Sequence, residues 1–224
     1  IFTVVNAILL RPLPYAEPEE LLKVRMRNIR TGDMGDQISY INYNDLIAGS
    51  KSLEGIGVYS GSAMFLMEGE DAELVKGVDL EARALSLLGI PPVRGRFFTA
   101  EEDVPNGPRV LLISHDLWRR RFNSDPNIVN RGVRFGSAGT TWTVIGVMPE
   151  GFKFPAPSPP GDYYPPLVRE LSETERTPRN LVFLDAIVRL REGATVQSAQ
   201  AEADVLSQRL EKEYPGSNSD LRFV

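Results

Sequence analysis

The opening of the chain constrains it most. Residues 1–10, IFTVVNAILL, are almost wholly apolar and are followed at once by Arg11, Pro12, Leu13 and Pro14. A helix needs ~20 apolar residues to cross a bilayer, and neither a basic segment nor a small-residue cleavage site of a secretory signal accompanies this stretch. Two readings stand open: the last turns of a membrane span that begins upstream, or a buried first element of a soluble domain. Arg11 is a snorkelling interfacial charge on the first reading and a plain surface residue on the second.

The chain as a whole has the make-up of a folded protein of one or two domains, with 224 residues, 42% hydrophobic and 25% charged. Its 25 Lys+Arg against 30 Asp+Glu leave a net charge of -5. No excess positive field is available to hold a phosphate backbone, so nucleic acid is not expected as a partner. The absence of cysteine excludes disulfides, zinc-thiolate sites and thiol nucleophiles, and leaves the compartment open.

Residues 21–27 alternate, with Leu22, Val24 and Met26 on one face of an expected strand and Lys23, Arg25 and Arg27 on the other. A Gly/Asp turn at 31–37 precedes a helix expected over 40–50. Residues 56–59 and 63–67 read as a hairpin around Gly61 and Ser62. A strand over 75–80 and a helix over 82–88 follow, the helix stopped by Gly89 ahead of Pro91 and Pro92. From Pro91 the texture turns to short strands and turns, which suggests a second subdomain. There a strand over 110–113 leads into a helix over 115–122, with Ser114 as its N-cap and Trp118 and Phe122 on one face. Residues 133–135 and 141–148 form an expected hairpin across 136–139. The Pro-rich stretch 149–166 is expected to be an exposed connector. Strand character returns over 181–190. Thr195 then caps the clearest helix, with Val196, Ala199, Ala203, Leu206 and Leu210 on one face and a stop at Pro215 and Gly216. Residues 221–224 begin another strand.

Reactive chemistry is sparse. His115 is the sole histidine, and consecutive Ser114, His115 and Asp116 diverge too far at a helix start to form a nucleophilic relay. No HExxH, GxSxG, EF-hand or Walker pattern occurs. Gly55, Gly57 and Gly61 are better explained as hairpin glycines than as a phosphate loop, since Ser60 occupies the last glycine position of GxGxxG. The acidic group Glu68, Glu70, Asp71 and Glu73 lacks metal-loop spacing and reads as a solvated turn. The basic run Arg119, Arg120 and Arg121 is a candidate partner-facing patch for an acidic protein or lipid headgroup, set against the plainer reading of a charged helix face.

Four stretches resemble the MacB-like periplasmic core domain of ABC permeases, especially its acidobacterial duplicated orphan branch. These are VVNAILLRPLPY (4–15), LLGIPPVRGRFFTAEED (87–103), VLLISHDLWRRRF (110–122) with TWTVIGVMPEGFKFP (141–155), and VRLREGATVQSAQAEADVLSQRLEKEYP (188–215). The resemblance implies an α+β fold of two lobes: a porter-like split β-α-β sandwich made from both chain ends, and an inserted strand-rich, sabre-like lobe. Residues 1–16 become the end of the first transmembrane helix and its exit linker, with Leu10, Arg11, Pro12 and Pro14 at the membrane junction. Residues 17–90 and 179–224 become the two parts of the porter-like lobe, and 91–178 the inserted lobe.

On this resemblance the domain faces the periplasm, is no enzyme, holds no cofactor, and passes ATP-driven motion to cargo or partners, as in efflux or in lipoprotein and lipid export. ATP is expected on a separate nucleotide-binding subunit, and a second permease copy as a partner. Periplasmic protein or lipid cargo is a further expected contact. The alternative is a binding or regulatory module of FtsX-like type that engages a partner such as a cell-wall hydrolase.

Overall fold

The computed structural model describes residues 21–68, 72–136, 139–152, 154 and 161–224. The junction residues Leu10, Arg11, Pro12 and Pro14 and the prolines at 155, 157, 159 and 160 lie outside the described residues, as do Glu70 and Asp71. The fold is α+β, with one mixed sheet and a separate small one.

The alternating run at the start is cut in two at Arg25, giving β1 (Leu21–Val24) and β2 (Met26–Asn28). Two short strands, β3 (Met34–Gly35) and β4 (Gln37–Ile38), lead to α1 (Tyr40–Gly49), which begins where the Ser39 hydroxyl accepts the Asn42 N–H. β5 (Leu53–Leu66) is one 14-residue strand. The hairpin expected around Gly61 and Ser62 is therefore absent, because both residues are paired along β6 (Glu73–Leu80), opposite Val78 and Gly77. Locally a Gly-Ser pair has turn chemistry; the partner strand overrides it. α2 (Ala82–Leu88) ends, as its sequence indicates, at Gly89 with φ of 65°.

After β7 (Arg94–Gly95) and β8 (Val110–Ile113), α3 (His115–Phe122) starts at Ser114, whose hydroxyl accepts the Leu117 N–H. β9 (Gly132–Phe135) and β10 (Thr140–Val147) form the expected hairpin. The stretch 149–166 corrects the exposed-connector reading where it is described. Phe152, Phe154, Tyr163 and Tyr164 are buried, and β11 (Tyr163–Tyr164) lies mid-sheet between β6 and β8. A two-residue strand is too short to show a period. Two short helices follow, α4 (Leu167–Glu170) and α5 (Glu173–Arg176), then β12 (Leu184–Leu190). Val182 precedes that strand and is 47% exposed. α6 (Val196–Glu213) is capped by Thr195 as expected, but Val196, also 47% exposed, is off its apolar face. Pro215 opens α7 (Pro215–Asn218) at a position where its missing N–H costs nothing, and β13 (Leu221–Phe223) ends the fold.

The large sheet runs β1-β12-β5-β6-β11-β8-β10-β7, with β4 paired to β12; β9 pairs with both β10 and β5, so that β5, β6, β11, β8, β10 and β9 close into a ring, and the small sheet runs β13-β2-β3. Arg25 and Val224 exchange both backbone hydrogen bonds, at 2.8 and 2.9 Å, beyond the paired residues of β2 and β13.

β5 is the spine, and its alternation sorts three cores. Tyr59, on its odd-numbered face, joins α2 residues Ala84, Leu85 and Leu88 in one cluster. On the even-numbered face Ile56 and Val58 meet Tyr43 and Leu46 of α1 and Leu206 and Leu210 of α6. Further along that face Leu66 joins Leu117, Trp118 and Phe122 of α3. Gly55 and Gly57 face α2. A Cβ on Gly55 would stand 2.7 Å from Leu87 Cδ2, and one on Gly57 2.7 Å from the Ala84 nitrogen. These glycines allow a helix to lie close on a strand, which replaces the hairpin reading given to them above.

Candidate functional site

The basic run on α3 separates into two kinds of residue. Arg120 pairs with Glu73 on β6 and donates to Asp162 Oδ1 at 2.8 Å. Arg121 lies 3.2 Å from Glu73 and donates to the Glu68 carbonyl at 2.9 Å. Glu68 also takes Arg131 Nη2 at 3.0 Å. Glu68 and Glu73 of the acidic group thus partner Arg120 and Arg121 of the basic run, and these contacts strap α3 to the end of the β5–β6 ladder. Arg119 differs: its contacts to Asp116 and Glu150 are both 3.8 Å and its side chain is 62% exposed. Of the three arginines it is the one whose charge faces outward.

Ser114, His115 and Asp116 do not act together. The Ser114 hydroxyl is occupied as an N-cap, the His115 ring lies edge-on to Trp118, and Asp116 faces Arg119. His115 Nδ1 is buried without a hydrogen-bond partner among the described residues. A shallow depression beside these residues is closed by Pro149, Gly151, Phe152 and Asp162. Among the described residues no group of three or more His, Cys, Asp or Glu is placed to hold a metal ion.

The stretch 94–103, part of the second resembling segment, is architectural. Gly95 sits at φ of 74° against the β10 backbone, with Gly146 Cα 2.9 Å from where its Cβ would be. Arg96 makes a bidentate pair with Glu102 at 2.7 and 2.8 Å, and Glu102 also accepts the Thr99 N–H. That pairing lowers the Glu102 pKa. Asp103 is buried and accepts the Ala82 N–H at 2.9 Å and the Val168 N–H at 2.7 Å, so one carboxylate ties the first turn of α2 to the first turn of α4. Burial pushes its pKa up, against the pull of those bonds. Glu81, the α2 N-cap, is pushed up to about 7 by burial, against the Arg83 charge and the Tyr43 hydroxyl.

Arg189 is a buried cation that donates through Nε and Nη2 to the Leu87 carbonyl near the end of α2. Neither Asp103 nor Arg189 stands out in sequence. For Arg189 the one signal is a charge in a stretch that otherwise reads as core; Asp103, in the acidic run 101–103, carries none.

Among the described residues no helix is long and apolar enough to cross a membrane. The family profile of the MacB-like periplasmic core domain matches residues 1–206. No curated protein matches. Solved structures share the fold, three of them as follows. The extracellular domain of the noncanonic ABC-type transporter YknZ from Gram-positive bacteria is 14% identical, with a TM-score of 0.62 over 91% of this chain and 100% of that one. A domain of a putative permease protein from Porphyromonas gingivalis is 16% identical, with a TM-score of 0.66 over 93% of this chain and 90% of that one. The periplasmic region of MacB from Actinobacillus actinomycetemcomitans is 15% identical, with a TM-score of 0.62 over 90% of this chain and 87% of that one. With its profile match over most of its length, this chain belongs to the MacB-like periplasmic core domain family.

Proposed function

We propose that this domain is the non-catalytic outer part of an ATP-driven permease and passes movement of the membrane helices to cargo or a partner outside the cell membrane. ATP is hydrolysed on a separate nucleotide-binding subunit, and a second permease copy completes the transporter. Export of small molecules, lipids or lipoproteins fits this arrangement. The observation that carries the reading is the continuity of the large sheet, which runs from β1 through β5 and β6 to β7. A hydrogen-bonded sheet filled on both faces by close-packed cores deforms little, so displacement at one edge reaches the other.

We assign the porter-like lobe to residues 17–90 and 179–224 and the inserted lobe to 91–178. In support, the cluster under α1 and α6 draws on Val24 to Val58 and on Leu184 to Phe223, with only Leu167 and Leu171 entering it from 91–178, and most of the cluster under α3 lies between Leu111 and Tyr163. Leu10, Arg11, Pro12 and Pro14 form the joint to the membrane, where two prolines restrict the backbone. Replacing Pro12 and Pro14 with glycine in the full permease tests the reading. ATP hydrolysis is expected to continue while transport falls; unchanged coupling between the two would sink it.

A further inference from the structure

On the even-numbered face of β5 the apolar surface is interrupted between two cores. Ile56 and Val58 belong to the cluster under α1 and α6, and Leu66 to the cluster under α3. The rungs between them are Ser60 opposite Asp79 and Ser62 opposite Gly77. The Tyr163 ring lies over Gly77, where a Cβ would also come within 2.7 Å of Ser62 Oγ. Tyr163 Oη is 3.0 Å from Ser62 Oγ, and Ser62 Oγ donates to Asp79 Oδ1 at 2.5 Å. A hydrogen-bonded relay thus runs from β11 across β5 to β6 and ends on a carboxyl group.

No cation balances that carboxyl among the described residues. Ser62 from β5 faces it directly, with Tyr163 from β11 one bond further out. Asp162, beside Tyr163, is turned to Arg120. Burial raises the Asp79 pKa to about 6, and the Ser62 hydrogen bond offsets this only in part.

We propose that Asp79, Ser62 and Tyr163 form a protonation-dependent latch between the two cores, closed when Asp79 is neutral and loosened by further entry of water when it ionises. Because the carboxyl is harder to ionise in the folded chain, the latch is strongest in acid and weakens as pH rises through about 6. The inference concerns the domain alone and holds whether or not the domain transmits motion.

The chain has no cysteine, so introduced cysteine pairs report without background. Spin labels at Gln208→Cys on α6 and Arg119→Cys on α3, both exposed, measure the separation of the two cores by pulsed dipolar spectroscopy on the 224-residue chain. A narrow distance distribution at about pH 5 is expected to broaden at about pH 7.5, with opening at the amides of residues 60–64 and 76–79 rising roughly tenfold by hydrogen exchange corrected for intrinsic rates. Asp79→Asn is expected to abolish the pH response, and Glu81→Gln to leave it in place. Tyr163→Phe keeps the ring, removes the relay and is expected to raise the midpoint; it carries the test alone should Asp79→Asn not fold. A wild-type response flat with pH overturns the proposal, as does a response that survives Asp79→Asn or a midpoint that Tyr163→Phe leaves in place.

Discussion

Gly57 of β5 and Ala84 of α2 meet backbone to backbone, with the Ala84 nitrogen and Cβ each 2.7 Å from where a Gly57 Cβ would stand. A methyl group there has no flexible neighbour to displace, so α2 must lift from the sheet. Gly57→Ala is expected to cost about 1–3 kcal/mol, read as a lower urea midpoint at unchanged slope. Gly61 lies on the same strand with nothing within 4 Å of its Cβ position. Gly61→Ala is expected to be neutral or to stabilise by about 0.5–1 kcal/mol. Equal losses at the two sites would show that close approach to α2 is not what Gly57 provides.

Asp103 holds two helix starts through two buried N–H donors. Asp103→Ala leaves both unpaired and is expected to cost about 2–4 kcal/mol. Asp103→Asn keeps an acceptor oxygen and should recover part of that loss. Thermal unfolding of the pair at one pH separates hydrogen bonding from charge, and an Asn variant no better than Ala would contradict the account.

Glu81 carries a pKa raised to about 7 from 4.5, with burial as the largest cause. A carboxyl raised on folding contributes stability that is present below its unfolded value and lost as pH rises through its folded one. The window is therefore about pH 4.5 to 7. Glu81→Gln removes this dependence, so its stability relative to the wild type should improve from the acid to the alkaline side of that window. Parallel stability curves would refute a penalised charge at this position.

The three arginines of α3 should separate by assay. Arg119→Ala is expected to leave the unfolding temperature unchanged, because its side chain is 62% exposed and its ionic contacts are 3.8 Å long. Arg120→Ala removes the bridge to Glu73 and Asp162 and is expected to cost about 0.5–1 kcal/mol, less in high salt. A large loss at Arg119 would reverse that assignment.

Where a residue and its structural cause are neighbours in the chain, the sequence was enough. Ser114 and Thr195 as N-caps, Gly89 as a helix stop and the β9–β10 hairpin all rest on contacts a few residues apart. It failed where the cause is distant. Gly61 and Ser62 look like a turn until β6 is laid beside them. Gly57 is explained by a helix 27 positions on, Ala84 less Gly57. The α3 arginines look free until Glu73, 47 positions earlier, is brought under Arg120. Tyr163 and Tyr164 form a strand only because β6 and β8 stand ready on either side.

The mutual hydrogen bonds of Arg25 and Val224 give the fold a mechanical bias. They lie at the outer end of an antiparallel ladder, β2 with β13. Tension that draws the backbone apart on the two sides of this pair would open the ladder one rung at a time, as a zipper opens, against single bonds in turn. A displacement applied equally to both meets the small sheet as a block and passes through Arg25 into β1 and the ten-stranded sheet beyond. Under the proposed role in passing on movement, the small sheet would thus open to a splaying load and hand on a load shared by both of its strands.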